Sequence, residues 1–178
     1  EFDLTSLTAG LIREDQAYGG IRVTVVAHIA GAKIRLQIDV GFGDAITPEP
    51  GKVEFPTLLE FPAPVLRAYE RETVVAEKLE AMVQLGQANS RRKDFFDLHV
   101  RSRDFEFDGN VLVEAIRATF QRRGTPIPKS TPVALTTEFS EDPTKIMQWR
   151  AFARKSGGPD LGELGAVMKI VALFVEEP

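Results

Sequence analysis

Lys33-Ile34-Arg35-Leu36-Gln37-Ile38-Asp39-Val40 sets an apolar side chain at every second position and a charged or amide side chain between each. A period of two is the period of a β-strand, so Ile34, Leu36, Ile38 and Val40 share one face and Lys33, Arg35, Gln37 and Asp39 the other. Upstream, Ile21 to Ile29 is equally rich in β-formers, and Ala30-Gly31 between the two runs suits a tight turn. Together they predict a hairpin over Ile21–Val40. Gly41-Phe42-Gly43-Asp44 ends its second strand. Pro48, Pro50, Pro56, Pro62 and Pro64 then forbid a helix. That stretch reads as an extended connection, with Val53 to Phe55 as a short edge strand.

From Glu72 the apolar spacing becomes helical and stays so. Helices are predicted at Glu72–Leu85, Ser90–Ser102, Asn110–Arg123, Pro143–Lys155 and Leu161–Phe174. Asp108, Asp142 and Asp160 are placed as N-caps, Pro143 as a first-turn proline, and Gly124 and Gly157 as stops. The fold class is therefore α+β, a small antiparallel sheet followed by a helical bundle. The expected division is a sheet lobe with its proline-rich connection over residues 1–64 and a helical domain over 65–178.

Composition narrows the function. Of 178 residues, 43% are hydrophobic and 27% charged, which is enough apolar surface for one or two folded lobes and argues against disorder. Cysteine is absent and histidine is limited to His28 and His99. This excludes a disulfide framework, a thiolate metal site and a thiol nucleophile. No apolar run approaches the roughly 20 residues of a membrane span, and no signal peptide is evident, so a cytoplasmic protein is expected. A net charge of -4 gives no general attraction to nucleic acid; such a partner would need a local basic patch.

Three places carry more than packing requires. In the helix from Glu72, Val74, Val75, Leu79, Met82, Val83 and Leu85 fill a broad apolar arc opposite Glu77, Glu80 and Gln84, and Lys78 falls inside that arc. Such a lysine either extends its ammonium out to solvent or meets an anion, because an unpaired buried ammonium is costly. A phosphate is one such anion.

The second is Ser90-Arg91-Arg92-Lys93-Asp94-Phe95-Phe96-Asp97-Leu98-His99-Val100-Arg101, where Lys93, Asp94, Asp97 and Arg101 occupy one arc. That arc is either a solvated stripe of i,i+4 pairs, each worth a few tenths of a kcal/mol, or a site. As a site, Asp94 and Asp97 would stand by a reacting hydroxyl while Arg91 and Lys93 hold phosphate oxygens near the helix N-terminus. The third is Asp39, a poor strand former among strong ones. It is either a surface residue or a carboxylate helping to hold Mg²⁺.

Leu36-Gln37-Ile38-Asp39-Val40-Gly41-Phe42-Gly43-Asp44, then Tyr69-Glu70-Arg71-Glu72-Thr73-Val74-Val75-Ala76-Glu77-Lys78, then Asn89-Ser90-Arg91-Arg92-Lys93-Asp94-Phe95-Phe96-Asp97-Leu98 resemble successive motifs of the AbiEii/AbiGii toxin family. Ala115-Ile116-Arg117-Ala118-Thr119-Phe120 and Gln148-Trp149-Arg150-Ala151-Phe152 extend the likeness over nearly the whole chain. The ordered series is specific where any single motif would be weak. The resemblance implies a polymerase-β-like nucleotidyltransferase lobe joined to a helical domain, acting as a bacterial toxin–antitoxin or abortive-infection toxin. It also implies a nucleoside triphosphate and Mg²⁺, an RNA acceptor such as tRNA, and a cognate antitoxin. By position, Asp39 resembles the downstream sheet carboxylate, Lys78 the lysine of the helix motif, and Asp94 and Asp97 the acids of Lys-Asp-x-x-Asp.

One departure stands beside the match. The family's first motif, a Gly-Gly-Thr or Gly-Ser turn followed by Asp-x-Asp, does not occur before Asp39, since Glu1-Phe2-Asp3 has no glycine turn ahead of it. Metal-assisted nucleotidyl transfer needs that carboxylate pair. The chain is therefore expected to be a fragment, inactive by itself. A non-catalytic nucleotide-binding, RNA-binding or helical interaction module is the alternative.

Overall fold

The computed structural model describes residues 1–12, 19–156 and 161–176. The chain forms two compact units, Glu1–Asp44 and the remainder from Ala45.

The first unit is a three-stranded antiparallel sheet of β1 (Phe2–Ile12), β2 (Gly20–Ile29) and β3 (Ala32–Gly41), in the order β1-β2-β3. The predicted hairpin is β2 and β3. Its two-residue turn takes positive φ at both Ala30 (47°) and Gly31 (82°), the twist that matches flanking strands. Ile29 therefore pairs with Ala32 and the register runs to Gly20 opposite Gly41. That register places Ile34, Leu36, Ile38 and Val40 on the same face as their partners Ala27, Val25, Val23 and Ile21. All four β3 residues on this face stay exposed, Ile38 at 56%.

β1 extends the sheet beyond the expected hairpin. Its pairing with β2 shifts between Asp3 and Thr8, and within that bulge Ser6 Oγ accepts from Val26 N–H at 2.8 Å. The bulge breaks the period of two, which is why alternation alone does not mark this strand.

The second unit opens with β4 (Gly51–Glu54), paired antiparallel with β5 (Val65–Ala68). Thr47, ahead of β4, is tied to a residue of the first helix. Thr47 N–H donates to Thr73 Oγ1 at 3.0 Å, and that hydroxyl donates to Thr47 O at 2.7 Å.

The helices follow as α1 (Arg71–Leu85), α2 (Arg92–Asp104), α3 (Gly109–Arg123), the single-turn α4 (Thr137–Glu141), α5 (Pro143–Ser156) and α6 (Leu164–Glu176). Asp108 caps α3 by accepting from Asn110 and Val111 N–H, and Asp142 caps α5 from Thr144 and Lys145 N–H. Gly124 ends α3 in the left-handed region, as a C-terminal glycine does. Gly157 and Asp160 lie outside the described residues. α2 begins at Arg92 rather than Ser90, because Asn89 Oδ1 draws Arg91 N–H into a side-chain turn at 2.8 Å. α4 is too short to leave a periodic signal. It begins where Thr136 Oγ1 accepts from Phe139 N–H at 3.4 Å.

α1 lies against α3 and α2 against α6. Their shared core holds Val75, Met82, Phe95, Leu98, Leu112, Phe120, Phe139 and Trp149, with Phe95 stacked on Phe139 at 5.7 Å between ring centroids. Trp149 Nε1 donates to Gly162 O at 3.0 Å, so the largest side chain of the core leaves no orphan donor. Glu80 belongs to this interior too, although its helical position assigns it to the polar side. Its side chain is 1% exposed because Arg123 Nη1 at 2.7 Å and the Thr125 hydroxyl, both at the end of α3, close over its carboxylate.

Candidate functional site

Lys78 leaves the apolar arc of α1 and turns its ammonium onto α2. Nζ stands 2.6 Å from Asp94 Oδ1 and 2.9 Å from Asp97 Oδ2. Lys93, one turn before Asp97 on α2, reaches the same Asp97 oxygen at 2.7 Å. The spacing of Asp94 and Asp97 makes this possible, since residues three apart on a helix project to one side. The side chains of Lys78, Asp94 and Asp97 are each less than one-fifth exposed, whereas Lys93 stays in solvent.

The charged arc holds one of the expected pairs and a contact beyond it. Lys93 and Asp97 form the expected i,i+4 pair, yet Asp94 and Asp97 also enclose a lysine from a different helix.

The electrostatics follow from that enclosure. Burial works against the Lys78 ammonium, but the hydrogen bonds and charges of Asp94 and Asp97 outweigh it and raise its pKa above the ordinary lysine value. Burial likewise opposes the Asp97 carboxylate, and the hydrogen bonds from Lys93 and Lys78 overcome it, so its pKa lies below the ordinary range. At neutral pH Lys78 is an ammonium and Asp97 an acceptor. Neither is a proton donor-in-waiting. The lysine that could have met a phosphate instead orients two acids.

Arg91 is exposed just ahead of α2. Its backbone N–H is held by Asn89, and it occupies the N-cap position of α2, two residues before Lys93, at the positive end of the helix dipole.

Asp39 lies in the sheet unit, on β3. Both carboxylate oxygens are taken by Arg22, its cross-strand partner, with Nε–Oδ1 and Nη2–Oδ2 each 2.8 Å, and Gln37 Nε2 adds a contact at 3.2 Å. The hydrogen bond from Arg22 is the main cause that lowers its pKa. Among the described residues, no three acidic or histidine side chains converge as a metal would require. With one carboxylate, already forked onto a guanidinium, the residues present do not by themselves fit a Mg²⁺ site.

Sequence reasoning did not find a buried polar cluster behind the N-terminus of α2. Arg92 Nη2 donates to Asn89 O at 2.7 Å and Gln148 Oε1 at 2.6 Å, and Lys145 Nζ donates to Gln87 O at 2.6 Å and Asn89 O at 2.9 Å. The only signal in the sequence is a lysine and a glutamine ahead of Trp149 on α5, which spacing alone does not separate from surface residues.

Residues 2–167 match the family model described as nucleotidyl transferase AbiEii toxin, type IV toxin–antitoxin system. The chain belongs to this family. No curated protein and no solved structure gives a significant match. The antiparallel sheet followed by helices agrees with the expected α+β class, and among the described residues no helix is long and apolar enough to cross a membrane.

Proposed function

We propose that this protein takes part in transferring a nucleotide from a nucleoside triphosphate to an RNA acceptor, tRNA being the first candidate. The observation that carries the proposal is the enclosure of Lys78 by Asp94 and Asp97 across two helices. These are the residues that the resemblance to the family's helix motif and its Lys-Asp-x-x-Asp motif assigns to the site.

In this reading Asp94 and Asp97 present carboxylate oxygens to the acceptor's 3′-hydroxyl. Lys78 fixes their spacing and helps hold the Asp97 carboxyl below its ordinary range. Arg91 and Lys93 face triphosphate oxygens, where charge alone suffices for recognition. The acceptor oxygen bonds to the α-phosphorus, the bond to the β-phosphate oxygen breaks, pyrophosphate leaves, and the hydroxyl proton passes to the acid beside it. The contribution of these residues is positioning and charge.

The resemblance assigns Asp39 to the metal side of the reaction, a role that would require Arg22 to release its carboxylate. Among the described residues no carboxylate pair accompanies it, so in this reading the chain alone binds nucleotide without transferring it. A cognate antitoxin would oppose the toxic activity, as the family's type IV system implies.

The test incubates this chain, and a gene product bearing Gly-Gly-Thr or Gly-Ser followed by Asp-x-Asp, with Mg²⁺, labelled nucleoside triphosphates and total tRNA. Transfer by the longer product, lost in Asp94→Ala and Lys78→Ala, supports the assignment. Transfer by this chain alone overturns the fragment reading. Full transfer by both long-form variants removes the two residues from the site.

The alternative of a binding module rests on a specific observation, the Arg22 fork that already occupies Asp39. Nucleotide binding by the longer product with no transfer to any RNA would favour it.

A further inference from the structure

Arg92 and Lys145 are two cations at 6% and 7% exposure, and among the described residues neither forms an ion pair. Burial lowers the pKa of both, only partly offset by the charge of Asp142. Burying an ammonium and a guanidinium without a carboxylate is costly and calls for a compensating role.

What they touch is a single turn. Three of their four hydrogen bonds end on the carbonyls of Gln87 and Asn89, and Asn89 O receives one from each cation. The fourth, from Arg92 to Gln148, ties the first residue of α2 to α5. The face of Phe139 lies beside both, 4.7 Å from Lys145 Nζ and 5.6 Å from Arg92 Cζ, which replaces part of the lost hydration.

That turn is the middle of the short connection, residues 86–91, between α1, which carries Lys78, and α2, which carries Asp94 and Asp97. The rotation of α2 about its axis decides whether those acids meet the lysine. One residue of slip turns the helix by about 100° and carries them away. A turn fixed only by its own backbone would not hold so tight a register, and α5 supplies the missing restraint through Lys145 and Gln148.

We propose that Arg92, Lys145 and Gln148 are positioning residues, which lock the turn at Gln87–Asn89 so that α2 presents Asp94 and Asp97 to Lys78. The proposal rests on the reading of those acids as the site, but its geometric content can be tested without activity.

The experiment follows the Asp97 carboxyl by ¹³C NMR titration in the unmodified protein, Lys145→Met, Gln148→Leu, Lys145→Arg, and Phe120→Leu. The last is a core change on α3 that shows what a loss of stability alone does to the titration. Expected is an Asp97 titration displaced upward by half a pH unit or more in Lys145→Met and Gln148→Leu, largely restored in Lys145→Arg, and unmoved in Phe120→Leu. An Asp97 titration the same in all five overturns the proposal, as does an equal displacement in Phe120→Leu. In a gene product that transfers nucleotides, the two α5 variants should lose about tenfold in kcat with KM within threefold, beyond the loss in Phe120→Leu. If no form transfers nucleotides, the functional reading fails while the titration still decides the positioning role.

Discussion

Lys78 on α1 and Asp97 on α2 are bound 2.9 Å apart, and Asp97 receives Lys93 at the same oxygen, so one carboxylate joins a half-buried cation to an exposed one. The two cations are not equivalent. Removing Lys93 leaves the acids paired, whereas removing Lys78 leaves Asp94 without its salt bridge in a site less than one-fifth exposed.

Lys78→Met should therefore destabilise the protein by about 2 kcal/mol, between the values for surface and buried pairs, and Lys93→Met by less than about 0.5 kcal/mol. Urea unfolding of both, with Asp97→Asn to complete a double-mutant cycle, measures the coupling. A Lys93 effect as large as that of Lys78 would contradict the assignment.

The same cluster sets a pH window. The Asp97 pKa is depressed in the fold, so its contribution is complete above the ordinary value of 3.8 and is lost as pH falls through the lower folded value. The Lys78 pKa is raised, so its contribution is complete below the ordinary value of 10.5 and is lost as pH rises through the higher folded value. Between these limits the cluster should give flat stability. In Lys78→Met its alkaline limb should disappear and its acid limb shrink without vanishing, because Lys93 still depresses Asp97. Denaturant midpoints from about pH 2 to about pH 12 test both signs, over a range that extends past the ordinary carboxylate and lysine values of roughly 4 and 10.4.

In the sheet, Arg22→Ala should return the Asp39 carboxyl to the ordinary range, since the hydrogen bond from Arg22 is the main cause of its depression. Carboxyl NMR titration reads the change directly. If an ion is to use Asp39, this variant should bind Mn²⁺ more readily than the unmodified protein in the same titration.

Arg123→Ala leaves the Glu80 carboxylate buried with only the Thr125 hydroxyl bond among its charged and polar partners at the end of α3. Uncovering one partner of a buried pair costs about 3–5 kcal/mol, and Thr125 retains part of that. A loss near 3 kcal/mol in thermal or denaturant unfolding is expected. A loss below about 1 kcal/mol would show that water replaces the guanidinium at this position.

The hairpin was legible because Ala30-Gly31 and the alternation of β3 are local signals, and the helices because their apolar spacing is sustained over several turns. β1 was not, because its bulge at Asp3–Thr8 shifts the period, and β5 was not, because four residues after a proline run carry too little pattern. The individual acids and Lys78 could be named from helical arcs and from the resemblance, but not their mutual contact. A wheel fixes the side on which Lys78 lies, not the helix packed there. The Arg92–Lys145–Gln148 cluster was out of reach for a related reason. It joins residues more than fifty positions apart, through backbone carbonyls that have no sequence signature.

Ile34, Leu36, Ile38 and Val40 are all in contact with water despite their perfect alternation. Part of their transfer free energy is then unspent in folding, most of all at Ile38, so threonine there should move the melting temperature less than at a fully buried strand position. What these side chains govern is colloidal behaviour. Sulfate, which strengthens the association of apolar surface, should precipitate the unmodified protein at a lower concentration than an Ile38→Thr, Val40→Thr variant. For this strand the salting-out curve, and not the unfolding curve, is the sensitive instrument.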